Sequence, residues 1–111
     1  MISVPNPTLK TDIETIIAAI VEKAKQDPHV DAIYLFGSYA KGTSTICSDI
    51  DFAFVSNVPE KINRSMLRYA ADAFDIDCDF VYTTHDKLSA AVSALDVNFH
   101  IRNEGVLLWQ R

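Results

Sequence analysis

Two aspartates, Asp49 and Asp51, stand one residue apart where the polar stretch 43–48 gives way to an apolar one. In a strand, side chains two residues apart project from the same face, so two ionised carboxylates would repel each other there. A cation between them removes the repulsion, and Mg²⁺ is commonly held by one or two carboxylates while substrate phosphates complete its coordination. The pair favours a Mg²⁺ site, although two solvent-facing aspartates at the start of a strand would give the same pattern.

A Gly37-Ser38 pair lies twelve positions before Asp49 and directly follows an apolar run. Glycine lets the backbone turn closely around an oxyanion, and successive backbone amides form an anion-binding concavity. The Ser38 hydroxyl adds a donor, and a helical turn beginning at Tyr39 would also favour a phosphate. The pattern is neither a Walker loop nor a dinucleotide fingerprint. It predicts a phosphate-binding turn, although Gly-Ser is also a common loop pair.

A third carboxylate comes from Asp77 or Asp79, which share one face of a strand predicted over residues 75–82. Beside the first pair, such a carboxylate would hold a metal or take the proton from an attacking hydroxyl. Metal ions held by three acids would stabilise both the attacking and leaving oxygens of a displacement at phosphorus. The same sequence pattern would arise if these acids only prevented an exposed edge strand from pairing with another strand.

The elements that must position these residues alternate between helix and strand. Residues 1–8 are predicted to be extended, and Thr11 and Glu14 match a capping box that opens an amphipathic helix ending near Asp27-Pro28. Residues 30–36 and 50–55 are predicted strands, the first of them buried on both faces. Residues 39–42 form a helical turn, and 43–48 form a loop.

The second half continues the alternation. A helix is predicted from Pro59 to Phe74, and another begins at a Thr84 cap with Leu88, Val92 and Leu95 on one face. We expect residues 97–102 to be helical, although their alternating apolar pattern also allows a strand. Residues 106–109 are a short terminal strand. These elements predict an α/β (α+β) fold in which helices flank a small, mixed sheet.

Length, composition and charge limit the classes of protein to which the chain can belong. The 111 residues predict a single domain, 1–111, and an apolar content of 49% is typical of a globular chain. A net charge of -5 argues against nucleic acid as the main partner, because nucleic-acid binding relies on Lys and Arg. Nothing suggests a signal peptide or membrane span, so we expect a cytoplasmic protein with Cys47 and Cys78 reduced. Such a small chain needs a partner or a homo-oligomer for further function.

Gly37-Ser38, ten intervening residues and then Asp49-Ile50-Asp51 together resemble the motif of the DNA polymerase β-like nucleotidyltransferase superfamily. The stretch 39–42, with Lys41 before a glycine, and Ser48 before the first aspartate, are also similar to the family pattern. Residues 78–82 look like the strand that carries the family's third carboxylate, and residues 100–109 resemble the C-terminal segment of its small members. The similarity covers roughly residues 10–110 and points to the minimal nucleotidyltransferases.

The resemblance implies a role for each matching residue. Asp49 and Asp51 would ligate Mg²⁺, and Asp79, favoured over Asp77, would complete the acid triad as catalytic base or metal ligand. Gly37 and Ser38 would hold the triphosphate of ATP or another nucleoside triphosphate, while Lys41 would contribute positive charge to the phosphates.

The resemblance also implies a partner. Many minimal nucleotidyltransferases pair with a HEPN-type protein as the antitoxin of a toxin–antitoxin system and transfer AMP from ATP to a tyrosine of that partner. We therefore expect Mg²⁺-dependent nucleotidyl transfer to a hydroxyl of a partner protein. A small-molecule nucleotidyltransferase acting on an aminoglycoside-like alcohol and a non-catalytic module that masks a partner by contact are the alternatives.

Overall fold

A four-stranded mixed sheet forms the centre of the protein, as shown by a computed structural model that describes residues 5–45 and 48–111. The strands are β1 (Ala32–Phe36), β2 (Ile50–Val55), β3 (Cys78–Thr83) and β4 (Val106–Gln110), and they lie in the order β3-β2-β1-β4. β1 is antiparallel to both β2 and β4, whereas β2 and β3 are parallel. The prediction of a mixed sheet flanked by helices is confirmed.

Five α-helices and one 3-10 turn surround this sheet in the described part of the chain. They are α1 (Pro5–Ala24), α2 (Ser38–Lys41), the 3-10 turn Pro59–Lys61, α3 (Arg64–Ala71), α4 (His85–Ala90) and α5 (Val97–Glu104). The turn and α3 lie between β2 and β3, because two parallel strands need a crossover connection.

Each face of the sheet has its own apolar core, because successive side chains of a strand alternate between the faces. On one face, Phe52 and Phe54 of β2 are fully buried in a cluster with residues of α1 and α3. On the other, Ala53 and Val55 pack with Leu88 of α4 and Ile101 of α5. Asp51 alternates with Phe52 and therefore belongs to the α4–α5 face.

Local sequence signals explain where three of the helices begin. The Thr84 side chain accepts a hydrogen bond from the Lys87 amide at 3.1 Å, which confirms its predicted capping role for α4. Asn63 caps α3 by accepting from the Met66 amide at 3.1 Å, and Asp96 caps α5 by accepting from the Asn98 amide at 2.9 Å. Residues 97–104 are accordingly helical, and the prediction of a helix over 97–102 is confirmed.

The N-terminal prediction is wrong in its boundaries. The structure has a helix from Pro5 to Ala24, so residues 5–8 are helical instead of extended, and Thr11 lies inside the helix instead of capping it. Proline is tolerated in the first helical turn, where its missing amide hydrogen has no intrahelical acceptor. Residues 1–4 of the predicted extended segment lie outside the described residues.

Three later predictions also need correction. The helix predicted from Pro59 to Phe74 divides into the 3-10 turn and α3, and β3 begins at Cys78 instead of residue 75. Helix α4 ends at Ala90, so Val92 and Leu95 leave the predicted apolar face and are exposed. Of Leu88, Val92 and Leu95, only Leu88 packs against the sheet.

Asp27 and Arg111 connect the end of α1 to the sheet. The Asp27 carboxylate, 6% exposed, accepts hydrogen bonds from the amides of His29 and Asn63, both at 2.9 Å. The Arg111 guanidinium donates to the backbone carbonyls of Asp27 at 2.8 Å and Val30 at 2.9 Å. This polar junction ties α1, the start of α3 and the end of β4 together.

Two further predictions concern the thiols and the membrane. Cys78 is a free, buried thiol, and its burial raises its pKa to about 11, so it stays protonated. Cys47 lies outside the described residues. Among the described residues, the helices lack the combined length and apolarity that crossing a membrane would require.

Candidate functional site

Asp51 and Asp79 are directly opposite each other on the adjacent parallel strands β2 and β3. Both side chains belong to the α4–α5 face, as the strand alternation requires, and both lie near the first residue of their strand. Asp49 precedes β2 and is exposed to solvent. The parallel pairing therefore brings together three carboxylates that the sequence separates by up to thirty positions.

The pKa values of Asp51 and Asp49 are both raised above the ordinary value. Burial raises the pKa of Asp51, and the nearby charges of Asp79 and Asp49 raise it further, to about 6. The pKa of Asp49 is also raised, by desolvation, by the charge of Asp79 and by a hydrogen bond between these two side chains. Accumulated negative charge of this kind is stabilised by a cation or by a proton.

Asp77 lies at the edge of this cluster. Its backbone carbonyl accepts a hydrogen bond from the Ile50 amide at 3.0 Å, which fixes the point where the two parallel strands begin to pair. Its charge raises the pKa of Asp49 less than the charge of Asp79 does, and it is not among the causes that raise the pKa of Asp51. The charge of Asp79 thus raises the pKa values of both Asp49 and Asp51, whereas that of Asp77 raises only the pKa of Asp49.

Gly37 packs against the Asp51 carboxylate. It joins the end of β1 to α2 with φ 76° and ψ -155°, a conformation that is essentially restricted to glycine. A Cβ at this position would overlap Oδ2 of Asp51 and lie 3.1 Å from its Cγ. The absence of a side chain is thus what allows the turn after β1 to lie directly on the acid strand.

Helix α2 forms the predicted helical turn after Gly37. The Lys41 amide donates to the Gly37 carbonyl at 3.1 Å, and the Thr43 amide donates to the Ser38 carbonyl at 2.9 Å. Gly42 ends the turn in the left-handed conformation, with φ 77°. Ser38, the first residue of α2, directly follows Gly37 and is half-buried.

Lys41 reaches across to α5. Its ammonium group lies 3.7 Å from the Glu104 carboxylate, which is also 3.5 Å from Nδ1 of His100. Nothing in the sequence spacing pointed to Glu104, because the contact depends on β4 pairing with β1 and thereby bringing the end of α5 beside α2. A carboxylate therefore competes with any phosphate for the predicted phosphate-binding lysine.

The oxygen ligands present suit a hard divalent cation, since Mg²⁺ prefers carboxylate and phosphate oxygens. Among residues 5–45 and 48–111, however, no group of three His, Cys, Asp or Glu side chains is already arranged around a common metal position. The acids are adjacent and electrostatically coupled. A bound cation would draw their side chains together and take further ligands from a substrate.

All the predicted site residues lie at one end of the sheet. Asp51, Asp79 and Gly37 meet directly, Asp49 and Ser38 adjoin them, and Lys41 is held beside them by Glu104. A backbone turn packed on paired acids of a mixed sheet is suited to phosphate and cation chemistry. This combination defines the class of the nucleotidyltransferases with a polymerase β-like fold.

The family comparison confirms this class. The model of the family described as "Polymerase beta, Nucleotidyltransferase" matches residues 18–111, and the chain belongs to that family. It is therefore a nucleotidyltransferase. Among curated proteins there is no significant match to the chain.

Solved structures of toxin–antitoxin complexes are similar to this chain. One, a toxin–antitoxin with AMP-PNP, has a TM-score of 0.59 and 29% identity over 88% of this chain and 73% of the other. A mutant of MntA-HpeT has a TM-score of 0.56 and 32% identity over 88% and 72%, respectively. A complex of tri-AMPylated Shewanella oneidensis HEPN toxin with MNT antitoxin has a TM-score of 0.51 and 25% identity over 92% and 72%. The resemblance to minimal nucleotidyltransferases is confirmed.

Proposed function

We propose that this protein is the antitoxin of a toxin–antitoxin pair and transfers AMP from ATP to a hydroxyl of a HEPN-type partner in a Mg²⁺-dependent reaction. The observation that carries the proposal is the packing of Gly37 on Asp51, with Asp79 directly opposite Asp51 on β3. A turn suited to phosphate thus adjoins a set of carboxylates suited to a cation.

Asp49 and Asp51 would hold the Mg²⁺. Their carboxylate oxygens have the chemistry that Mg²⁺ prefers, and the raised pKa values of Asp49 and Asp51 reflect a negative charge that a divalent ion would neutralise. When bound, Mg²⁺ supplies charge stabilisation to the reacting phosphate oxygens. The donor set therefore fits the metal.

The Gly37–Lys41 turn would bind the triphosphate. Gly37 allows the phosphates to approach the backbone, Ser38 contributes its hydroxyl and amide, and Lys41 contributes positive charge once it is released from Glu104. A phosphate at this turn would lie beside the acids, because Gly37 and Asp51 are in contact.

Asp79 would act as the general base for the acceptor. It is exposed and lies on the outer strand β3, which has a neighbour on only one side among the described strands. The acceptor oxygen would attack the α-phosphorus of ATP while its proton passes to Asp79. The bond between the α-phosphorus and the bridging oxygen breaks, so that AMP is joined to the acceptor and pyrophosphate leaves.

The similar structures support a HEPN-type protein as the acceptor. One similar complex pairs an MNT antitoxin with a tri-AMPylated HEPN toxin, and another contains AMP-PNP. The first indicates AMP as the group transferred, and the second indicates an adenine nucleotide as the donor.

Transfer is tested by incubating the protein with α-labelled ATP, Mg²⁺ and the HEPN-type protein encoded beside it. We expect label on the partner, and we expect none with the Asp49→Ala/Asp51→Ala double variant or when Mg²⁺ is chelated. Asp79→Asn should lower kcat by a factor on the order of 10² to 10⁴, because it removes the base.

Two conservative variants serve as controls for the acid cluster. Asp77→Asn should keep activity within a few-fold, and Asp86→Asn, on exposed α4, should have no effect. Absence of label with the unmodified protein would contradict the proposal. A larger loss in Asp77→Asn than in Asp79→Asn would reassign the base, and label that appears only on an added aminoglycoside would favour a small-molecule acceptor.

A further inference from the structure

His100 lies between a backbone carbonyl and a carboxylate in the second half of α5. Its Nε2 atom is 2.7 Å from the carbonyl oxygen of Ala94, and its Nδ1 atom is 3.5 Å from the Glu104 carboxylate. The ring of Phe99 packs edge-on against the imidazole, with 5.5 Å between the two ring centroids. These three contacts define the orientation of the His100 ring.

The contact with Ala94 determines which ring nitrogen of His100 carries hydrogen. A carbonyl oxygen only accepts hydrogen bonds, so Nε2 must donate, and in the neutral imidazole Nδ1 then has a lone pair instead of a proton. That lone pair faces the Glu104 carboxylate. The contact between His100 and Glu104 is therefore attractive only when the ring gains a second proton and becomes an imidazolium.

Glu104 has a second cationic partner, the ammonium group of Lys41. This group lies 3.7 Å from Oε1 of Glu104, the same oxygen that Nδ1 of His100 approaches. Among residues 13–45 and 48–111, whose side chains the structure describes, no other cationic side chain lies within 4 Å of this carboxylate. At these distances neither contact is a close hydrogen bond, so the charge of His100 can shift the balance between them.

The sheet register places the end of α5 at the same end of the molecule as the acids. Helix α5 packs on the face of the sheet to which Asp51 belongs. Strand β4, which follows α5, pairs its first residue with Leu35 of β1, and the next residue of β1, Phe36, pairs with Asp51. The contact with Glu104 therefore holds the Lys41 ammonium group on the face of the sheet that carries the acids.

The other charged side chains of α5 are engaged elsewhere. The Arg102 guanidinium donates to two backbone carbonyls at the end of α4, and Asp96 caps the start of α5. In the part of the chain with described side chains, no carboxylate besides Glu104 lies within 4 Å of a ring nitrogen of His100. From α2, Lys41 reaches the same carboxylate. A proton gained by His100 therefore acts on Glu104 and, through it, on Lys41.

We propose that His100 is a positioning residue for Lys41 and acts through Glu104. A protonated His100 attracts the shared oxygen of Glu104, which leaves Lys41 free to turn to the phosphates of a bound nucleotide. A neutral His100 leaves Glu104 to Lys41, and the charge of the lysine is then partly neutralised. The inference rests on the proposed function, since it concerns the lysine that would contribute charge to the triphosphate.

The test measures the affinity for Mg-ATP by calorimetry from about pH 5.5 to about pH 8, a range in which an ordinary imidazole gains and loses its proton. The variant is His100→Gln, because its side-chain amide can still donate to the Ala94 carbonyl but cannot become charged. Titration of ATP and of the acid cluster is common to both proteins, so it cancels in the ratio of their dissociation constants.

We expect His100→Gln to bind Mg-ATP about two- to threefold more weakly than the unmodified protein at about pH 5.5, a factor typical of exposed charge interactions. At about pH 8 the two affinities should be nearly equal, because the unmodified His100 is then neutral as well. In the Glu104→Gln background, His100→Gln should have no effect at any pH, because the residue through which it acts is absent.

His85→Gln is the matched control. His85 also lies near a carboxylate, 3.6 Å from that of Asp31, but Asp31 precedes β1, whereas Gly37 and the site follow it. We expect this variant to bind Mg-ATP as the unmodified protein does at every pH. A loss at low pH equal to that of His100→Gln would overturn the proposal.

Circular dichroism checks that His100→Gln is folded. If it is not, Glu104→Gln takes its place: it should bind Mg-ATP more tightly than the unmodified protein at about pH 8, and this difference should shrink at about pH 5.5. A ratio of dissociation constants that does not change with pH overturns the proposal. So does an effect of His100→Gln that persists in the Glu104→Gln background.

Failure of this inference and failure of the proposed function give different results. A protein that binds Mg-ATP with the expected dependence on His100 but transfers no AMP supports the inference and contradicts the function. Transfer of AMP, together with equal Mg-ATP affinities of His100→Gln and the unmodified protein at every pH, contradicts the inference alone. An unmodified protein that does not bind Mg-ATP overturns both.

Discussion

Gly37 lies so close to Asp51 that a single added methyl group would overlap the Asp51 carboxylate. The contact joins the two ends of the motif that the sequence separates by thirteen residues. It fixes the turn after β1 relative to the acid strand β2.

The first prediction compares the two glycines that have positive φ. Gly37→Ala combines a backbone conformation restricted to glycine with the overlap on Asp51, and we expect a loss of about 2 kcal/mol or more in the free energy of unfolding. We also expect the free energy of nucleotide binding to weaken by at least about 1.4 kcal/mol, which corresponds to a tenfold loss of affinity. Denaturant unfolding and calorimetry with Mg-ATP measure the two effects.

Gly42→Ala is the matched control for this prediction. Its φ is 77°, but a Cβ there would meet no atom within 4 Å, so it has strain without overlap. We expect a loss of about 1–2 kcal/mol in stability and nearly unchanged nucleotide binding. Equal nucleotide affinities of the two variants would contradict a role for the Gly37–Asp51 contact.

The second prediction concerns repulsion in the acid cluster. In the metal-free protein, Asp51→Asn removes a charge whose pKa is raised to about 6 by burial and by its acidic neighbours. Each pKa unit is worth about 1.4 kcal/mol, and partial exposure reduces the total, so the variant should gain about 1–2 kcal/mol in stability. Thermal unfolding in the presence of a chelator measures this gain in stability.

Mg²⁺ should largely cancel this difference in stability. At about ten times its dissociation constant, a ligand of the folded state stabilises a protein by about 1.4 kcal/mol. We expect the Tm of the unmodified protein to rise with Mg²⁺, while that of Asp51→Asn stays nearly constant. Equal responses of the two proteins to Mg²⁺ would argue against Asp51 as a ligand.

The third prediction concerns Lys41 and its ion pair with Glu104. Lys41→Gln should raise the KM for ATP by about threefold with little change in kcat, because an exposed charge interaction is worth up to about 1 kcal/mol. Glu104→Gln should lower this KM, since it frees Lys41 and removes a negative charge near the phosphates. Steady-state kinetics with varied ATP measures both.

A double variant tests whether Glu104 acts through Lys41. In the Lys41→Gln background, we expect the effect of Glu104→Gln on the KM to shrink, as it does for residues that interact directly. Effects that add in full would indicate that Glu104 acts independently of the lysine.

The fourth prediction concerns pH and the buried Asp27. Burial alone would raise its pKa, but hydrogen bonds from the amides of Asn63 and His29 outweigh this effect, and its pKa lies below the ordinary value of 3.8. A carboxyl whose pKa is lower in the folded state stabilises the protein fully above pH 3.8. That contribution is lost as the pH falls through the folded-state pKa.

Asp27→Asn should therefore lower the free energy of unfolding by about 1–3 kcal/mol near neutral pH. The two backbone amides donate to different oxygens of the Asp27 carboxylate, and a side-chain amide has only one oxygen. The difference from the unmodified protein should shrink below about pH 4, as Asp27 itself becomes protonated. Denaturant unfolding over a pH series measures the difference. The exposed Asp86→Asn serves as its control, and a difference that is constant with pH would contradict the assignment.

The local patterns of the sequence were sufficient for the central elements. The apolar run before Gly37 and the run that includes Phe52 and Phe54 predicted β1 and β2, because a buried strand needs apolar side chains on both faces. Thr84 predicted the start of α4, since a helix cap depends only on residues within one turn. The motif itself, Gly37-Ser38 and Asp49-Ile50-Asp51, pointed to the family that the comparison then confirmed.

Boundaries were less predictable, because packing decides them. Val92 and Leu95 continue a helical spacing, yet α4 ends at Ala90 and leaves them exposed. Two prolines suggested an extended N-terminus, yet both fit within the first turn of α1. Spacing alone cannot tell a residue that reaches the core from one that lies beyond the end of the sheet.

The sequence by itself determined which chemical groups are present: a glycine turn, three or four acids and one lysine near an apolar strand. Only the tertiary structure decided which of them meet. The parallel register of β2 and β3 places Asp79 opposite Asp51, and the pairing of β4 with β1 brings Glu104 to Lys41. The physical reason is that strand pairing joins residues distant in the chain through backbone hydrogen bonds, whose register depends on the packing of the whole sheet.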